Sequence, residues 1–159
     1  MTAALKPPAI DPATVPAKTG STYPEPFAGR CAARAKRAVG DALGLRNFGV
    51  NLVEVPPGVE SSMRHWHDRQ DEFVYVLEGE LVLVTDAGEQ TLGPGMAAGF
   101  PAGNGNGHQL ANRSDAPAVY LEVGDRMPGD GVVYSDIDML LPHRTDGPRT
   151  FIRKDGSPY

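Results

Sequence analysis

The chain is poor in cysteine: Cys31 stands alone among 159 residues. A lone cysteine cannot close an intramolecular bridge, which excludes a disulfide scaffold and suits a reducing compartment such as the cytoplasm. A chain of this length buries a sizeable core without such a staple. Long apolar runs are missing too; none approaches the ~20 residues of a membrane span, so no membrane partner is expected. Basic residues are outnumbered, with Lys+Arg 15 against Asp+Glu 20 and a net charge of −5. That balance argues against nucleic acid or an anionic membrane as the main partner. The opening stretch, MTAALKPPAIDPATVPAKTG, has prolines and no apolar block, so it does not read as a secretory signal. Internal repeats and amphipathic helices of useful length are absent as well, which disfavours a parallel α/β sheet.

What the chain has is turns. Gly 19 and Pro 15 cut it into short pieces. Residues 1–28 are rich in proline and poor in large apolar side chains, and read as an extended N-terminal arm. Arg30, Arg34 and Arg37 then fall at i, i+4, i+7. On a helix they form one basic, solvated face; an outer strand and an anion-binding role are the alternatives. From about residue 46 short apolar runs take over. NFGVNLVEV closes at Pro56-Pro57-Gly58, EFVYVL at Glu78-Gly79 and ELVLVT at Asp86-Ala87-Gly88. MAAGF, HQLAN and PAVYLEV follow, the first two separated by the glycine- and asparagine-rich loop from Gly103 to Gly107. Strands of this length with regular turn signals predict an all-β sandwich or barrel over 29–125. Residues 126–159 read as a C-terminal tail packed on the barrel. In it, turns are expected at Asp146-Gly147 and Asp155-Gly156, with FIRK between them as a short strand.

Three of the four histidines fall in strand-like segments. His65 and His67 are two apart, so on a strand both imidazoles face one side and Trp66 the other. A second strand begins at Glu72, whose phase is that of Val74 and Val76. If those valines face the interior, a carboxylate sits at the mouth of an apolar barrel, which is costly unless it is paired or bound to metal. Asp71, beside the same turn, is the alternative carboxylate. His108 opens a further strand, in phase with Leu110 and Asn112. Three imidazoles and a carboxylate converging on one spot form a site for one divalent transition metal. The donor set suits Zn, Fe, Mn, Ni or Co alike. His143, in the tail, reads as a surface residue.

These residues resemble the cupin family. Its first motif is matched by Gly58, His65, His67, Glu72 and Gly79, and its second by Gly95, Pro101, Gly103, His108 and Asn112. The gap from Gly58 to His65 is one residue longer than the commonest form, and the loop from Gly103 to His108 two longer. The resemblance spans about residues 46–124. It implies a cupin-type double-stranded β-helix, a single jelly-roll barrel, and is strongest to short bacterial cupins described as candidate sugar-phosphate isomerases. It implies the metal ligands His65, His67, Glu72 and His108, a small-molecule substrate and a homodimer. Trp66, Phe73 and Tyr75, facing outward on this phase, are expected at the contact between copies.

Expected activity is that of a metal-dependent enzyme on a small polar substrate, resembling sugar-phosphate isomerases. A cupin dioxygenase using iron and oxygen is one alternative; a non-catalytic small-molecule sensor is the other. Cupin sensors usually carry a DNA-binding helical domain, which residues 1–45 do not offer. No general base can be named from the sequence. Arg64, Tyr75, Gln109 and Tyr120 lie near the mouth, but strand phase turns most of them away. Asp136 and Asp138, near Tyr134, read as a solvated turn.

Overall fold

The computed structural model describes residues 5–143 and 150–159; the turn expected at Asp146-Gly147 lies outside them. Eleven strands carry the fold among the described residues. In chain order they are β1 (Ala35–Arg37), β2 (Phe48–Val55), β3 (His65–His67), β4 (Glu72–Glu78), β5 (Leu81–Thr85) and β6 (Gly88–Leu92). β7 (Ala97–Phe100), β8 (Gln109–Ala111), β9 (Ala118–Asp125), β10 (Val132–Tyr134) and β11 (Leu140–Leu141) follow. Helix is confined to α1 (Ala28–Cys31), α2 (Val39–Ala42) and a 3-10 turn at Pro12–Thr14.

One sheet has the order β1-β2-β9-β4-β7, and every pairing in it is antiparallel. The others are β6-β5-β8 and β11-β10-β3. A main-chain bridge between His65 and His108 joins these two into one face: each donates its N–H to the other's carbonyl, at 3.1 and 2.8 Å. The result is the all-β double-stranded β-helix, two antiparallel sheets closed over one core.

The alternation read from the sequence appears directly on β4. Val74 and Val76 are buried, whereas Phe73, Tyr75 and Leu77 are exposed. Between the sheets lie Val53, Val55, Val74, Val76, Leu81, Leu83, Leu92, Leu110, Ala118 and Tyr120. Each valine or leucine among them contributes roughly 1.5–3 kcal/mol through burial. Gly79 turns the chain from β4 into β5 at φ 71°. A Cβ there would lie 2.6 Å from the Pro117 carbonyl oxygen and 2.8 Å from Ala118 Cα, so only glycine fits.

A second, smaller core joins the two ends of the chain. Cys31, Met63, Val132, Tyr134 and Met139 are buried together, with Tyr23, Phe27 and Phe151 packed against them. Tyr23 meets Tyr134 edge-on at 5.6 Å and Phe151 at 5.5 Å. The segment of Arg30, Arg34 and Arg37 does not form one helical face. α1 stops at Cys31, and residues 35–37 become the outer strand β1, flanked on its free side by Lys18. Pairing with β2 outweighs the high helix propensity of Ala35, Lys36 and Arg37. Near the chain's end, Ile152 bridges Leu140 and Pro158.

Candidate metal centre

Strand pairing brings the three histidines and Glu72 together. His65 and His67 share a face of β3, and His108 lies directly across the bridge from His65, so all three rings project into the barrel mouth. On the opposite sheet, Glu72 opens β4, paired with Phe100 of β7 and Gly124 of β9. Its Oε2 lies 2.9 Å from His108 Nε2, 3.5 Å from His67 Nε2 and 3.7 Å from His65 Nε2. Ligand atoms of His65, His67 and Glu72 all lie within 4.8 Å of one another. The longer loop before His108 does not turn its ring away. The imidazole stacks on Phe100 with centroids 3.6 Å apart and planes 4° from parallel.

The outer nitrogens determine what the inner ones present. His65 Nδ1 donates to the Met63 carbonyl at 2.8 Å, and His67 Nδ1 donates to Asp130 Oδ2 at 2.6 Å. Both acceptors require a proton on Nδ1, which leaves an Nε2 lone pair facing the centre. Glu72 Oε2 is buried and has no aligned hydrogen-bond donor, despite the three nitrogens around it. A buried carboxylate oxygen without a donor costs free energy unless a cation meets it. These residues therefore fit a divalent transition metal: nitrogen lone pairs and one hard oxygen, converging on one point.

Electrostatics within the cluster follow from burial and proximity. Burial pushes the Glu72 carboxyl up, but the His108 and His65 imidazoles outweigh it and hold the group well below the usual carboxylate range. At His65 burial acts downward, yet contact with Glu72 prevails and the imidazole is raised. His108 is lowered, burial being the largest cause, with His65 adding to it against Glu72.

Behind the cluster lies a cavity of about 210 Å³. Its walls are Val74, Phe100 and Leu110 beside the cluster, with Tyr120, Glu122, Arg34 and Lys36 beyond. Of the mouth residues considered from the sequence, Tyr120 alone lines it. Arg64 turns outward to ion pairs with Asp136, at 2.6 Å, and Asp86. Tyr75 is on the exposed face, and Gln109 is buried on the side of β8 opposite Leu110. Asp71 is exposed and accepts from the Ala102 N–H at 2.8 Å. His143 is half-exposed and sits 2.7 Å from Asp68. Asn112 is buried and bonded to the Val55 and Ala116 carbonyls at 2.7 and 2.8 Å, holding the barrel's closing loop.

Asp130, Lys36 and Glu122 were not found by reading the sequence, and Arg34 figures there only within a basic segment for which anion binding is an alternative. Asp130 sits in Pro128-Gly129-Asp130-Gly131, which reads as a turn, and only the pairing of β10 with β3 carries it to His67. Lys36 lies on β1 and Arg34 just before it, and both line the cavity, a two-residue spacing that the helical reading hides.

Comparison with known proteins agrees with this geometry. The cupin domain family model matches residues 51–124. A crystal structure of a sugar phosphate isomerase of the cupin superfamily from Silicibacter pomeroyi is 49% identical, with TM-score 0.91 and 96% of each chain covered. A candidate sugar phosphate isomerase from Acidithiobacillus ferrooxidans is 31% identical, with TM-score 0.72 and 78% of each chain covered. A polyketide cyclase from Streptomyces resistomycificus is 26% identical, with TM-score 0.60, covering 74% of this chain and 78% of its own. No curated protein matches at a significant level. No helix among the described residues is long and apolar enough to cross a membrane. The motif histidines, the barrel they sit in and the likeness to a cupin along nearly the whole chain lead to one assignment: this chain belongs to the cupin superfamily.

Proposed function

We propose that this protein is a metal-dependent isomerase of small phosphorylated sugars, with one divalent transition metal held by His65, His67, Glu72 and His108. The observation that carries the reading is the donorless Glu72 Oε2 facing three histidine Nε2 atoms at the head of a small polar cavity. The 49% likeness to a sugar phosphate isomerase supplies the substrate class. A bound divalent ion supplies Lewis acidity toward a substrate carbonyl or hydroxyl oxygen.

The chain's own residues do the rest. Met63 and Asp130 fix the imidazole tautomers. Phe100, Leu110 and Val74 exclude water from one wall. Arg34 brings a positive charge to the far end, complementary to a phosphate, beside Lys36, which is paired with Glu122 at 2.6 Å. The buried, unpaired Cys31 suits the cytoplasm. The exposed apolar residues Phe73, Tyr75 and Leu77 on the outer sheet face are read as the contact of a homodimer; light scattering should give twice the chain mass.

The test combines metal analysis with turnover. Purified protein is expected to carry close to one divalent ion per chain and to interconvert aldose and ketose forms of a phosphorylated C3–C6 sugar. Protein of normal fold that takes up no metal overturns the site. Oxygen uptake under iron loading, with no interconversion, would move the assignment to a dioxygenase. Ligand binding without turnover would move it to a sensor.

A further inference from the structure

Two carboxylates line the cavity, Glu72 and Glu122. The first belongs to the metal cluster. The second lies outside that cluster, and its placement is specific. Glu122 lies on the inner face of β9, between Asn51 of β2 and Val74 of β4. Val74 and Glu72 share a strand face, so the Glu122 row is one inward-facing step, roughly 7 Å, from the Glu72 row. A small sugar held at the cluster would therefore extend along the cavity past the Glu122 side chain.

The two oxygens of Glu122 are not equivalent. Oε1 accepts from Lys36 Nζ at 2.6 Å and from Asn51 Nδ2 at 3.0 Å. Oε2 has one long contact, 3.4 Å from the Tyr120 hydroxyl. The side chain is thus clamped through Oε1 while Oε2 stays available to the cavity. Other lining groups are poorer proton carriers. Arg34 has donors but no acceptor to take a proton, and it bonds the Ser61 carbonyl. The Ser61 hydroxyl accepts from the Leu110 N–H at 3.0 Å. Tyr120 donates into Glu122 itself.

We propose that Glu122 is the catalytic residue that moves the proton between the two substrate carbons, with Lys36 as the positioning residue that holds it. The proposal rests on the isomerase reading. The Glu122 carboxylate takes the proton from the carbon bearing the hydroxyl. The C–H electron pair becomes the C=C bond of an enediolate, and the carbonyl π pair moves onto its oxygen. The same carboxyl returns the proton to the former carbonyl carbon, while the hydroxyl proton passes from one oxygen to the other. The sum is an isomerisation, with no oxidant or co-reactant.

The test compares wild type with Glu122→Gln, Glu122→Asp, Lys36→Met and Lys36→Arg. Readouts are metal content, calorimetric binding of the sugar phosphate that wild type turns over, kcat, and exchange of the substrate carbon-bound hydrogen with D₂O by NMR. Glu122→Gln is expected to keep one metal per chain and near-normal binding, and to lose kcat and exchange together by about 10²–10⁴-fold. Glu122→Asp, which keeps the charge but shortens the reach, should retain the fold and lose about 10–100-fold. Lys36→Met should lower kcat, and Lys36→Arg should restore most of it. Turnover or exchange by Glu122→Gln within tenfold of wild type overturns the proposal. So does loss of metal from that variant, because Glu122 would then act on the cluster. If Glu122→Gln does not fold, undiminished turnover by Glu122→Asp overturns it. A wild type that interconverts no phosphorylated sugar removes the isomerase reading, and this proposal with it.

Discussion

Asp130 is tied to His67 by a 2.6 Å hydrogen bond from Nδ1, although 63 residues separate them in the chain. Its other oxygen accepts from the Arg69 N–H at 2.9 Å, and the carboxylate is almost wholly buried. One side chain therefore sets both the tautomer of an inward-facing imidazole and the path of the turn that follows it. Asp130→Asn should leave the barrel folded and weaken metal binding about 10–100-fold. Competition against a chelator of known affinity measures it, and unchanged affinity would detach Asp130 from the centre.

Metal should stabilise the fold in proportion to occupancy. At a free metal concentration 100 times Kd, the folded state gains about 2.7 kcal/mol. Melting curves with added metal and with excess chelator should separate accordingly. The double variant His65→Ala, His67→Ala should melt at one temperature in both.

Gly79→Ala is expected to cost about 2 kcal/mol or more, from the left-handed backbone and from contact with Pro117 and Ala118. For a chain of this size that corresponds to a Tm about 4–8 °C lower. Calorimetry checks it; a change below 1 °C would mean the turn re-forms around the methyl group.

Burial pushes the Cys31 thiol up to about 11 from 9.0. The unfolded chain ionises it first, so its contribution to stability is complete below pH 9 and lost as pH rises toward 11. Cys31→Ala should flatten the fall in urea midpoint across that window. In the native protein at pH 8 the thiol should resist a thiol-reactive chromophore and label fully in denaturant.

Legibility from the sequence followed the range of the interaction. The shared phase of His65 with His67, and of Glu72 with Val74, is written in a period of two, and the folded chain keeps it. Asp130, Lys36 and Glu122 depend on which strand lies beside which. Lys36 reaches the cavity because β1 pairs with β2, placing it level with Val53 and Tyr120. The segment of Arg30, Arg34 and Arg37 was legible as an outer strand only as an alternative to a helix, and its partner β2 was not legible at all. Tyr120 was legible as a mouth residue but not as an inward one, since its facing follows from its register against Val53 and Val76.

The four cluster residues and Glu122 all lie within 51–124, whereas Tyr23, Arg34 and Lys36 reach the cavity from upstream. On the proposed reading, the cluster and the proton carrier come from one stretch of the chain, and part of the cavity wall, with the lysine that holds the carrier, from another. A relative that exchanged its leading segment but kept Lys36 would present a different wall to the same cluster. A graft of residues 18–34 between cupins, which exchanges Tyr23 and Arg34 and spares Lys36, is a direct way to ask whether substrate preference travels with that segment.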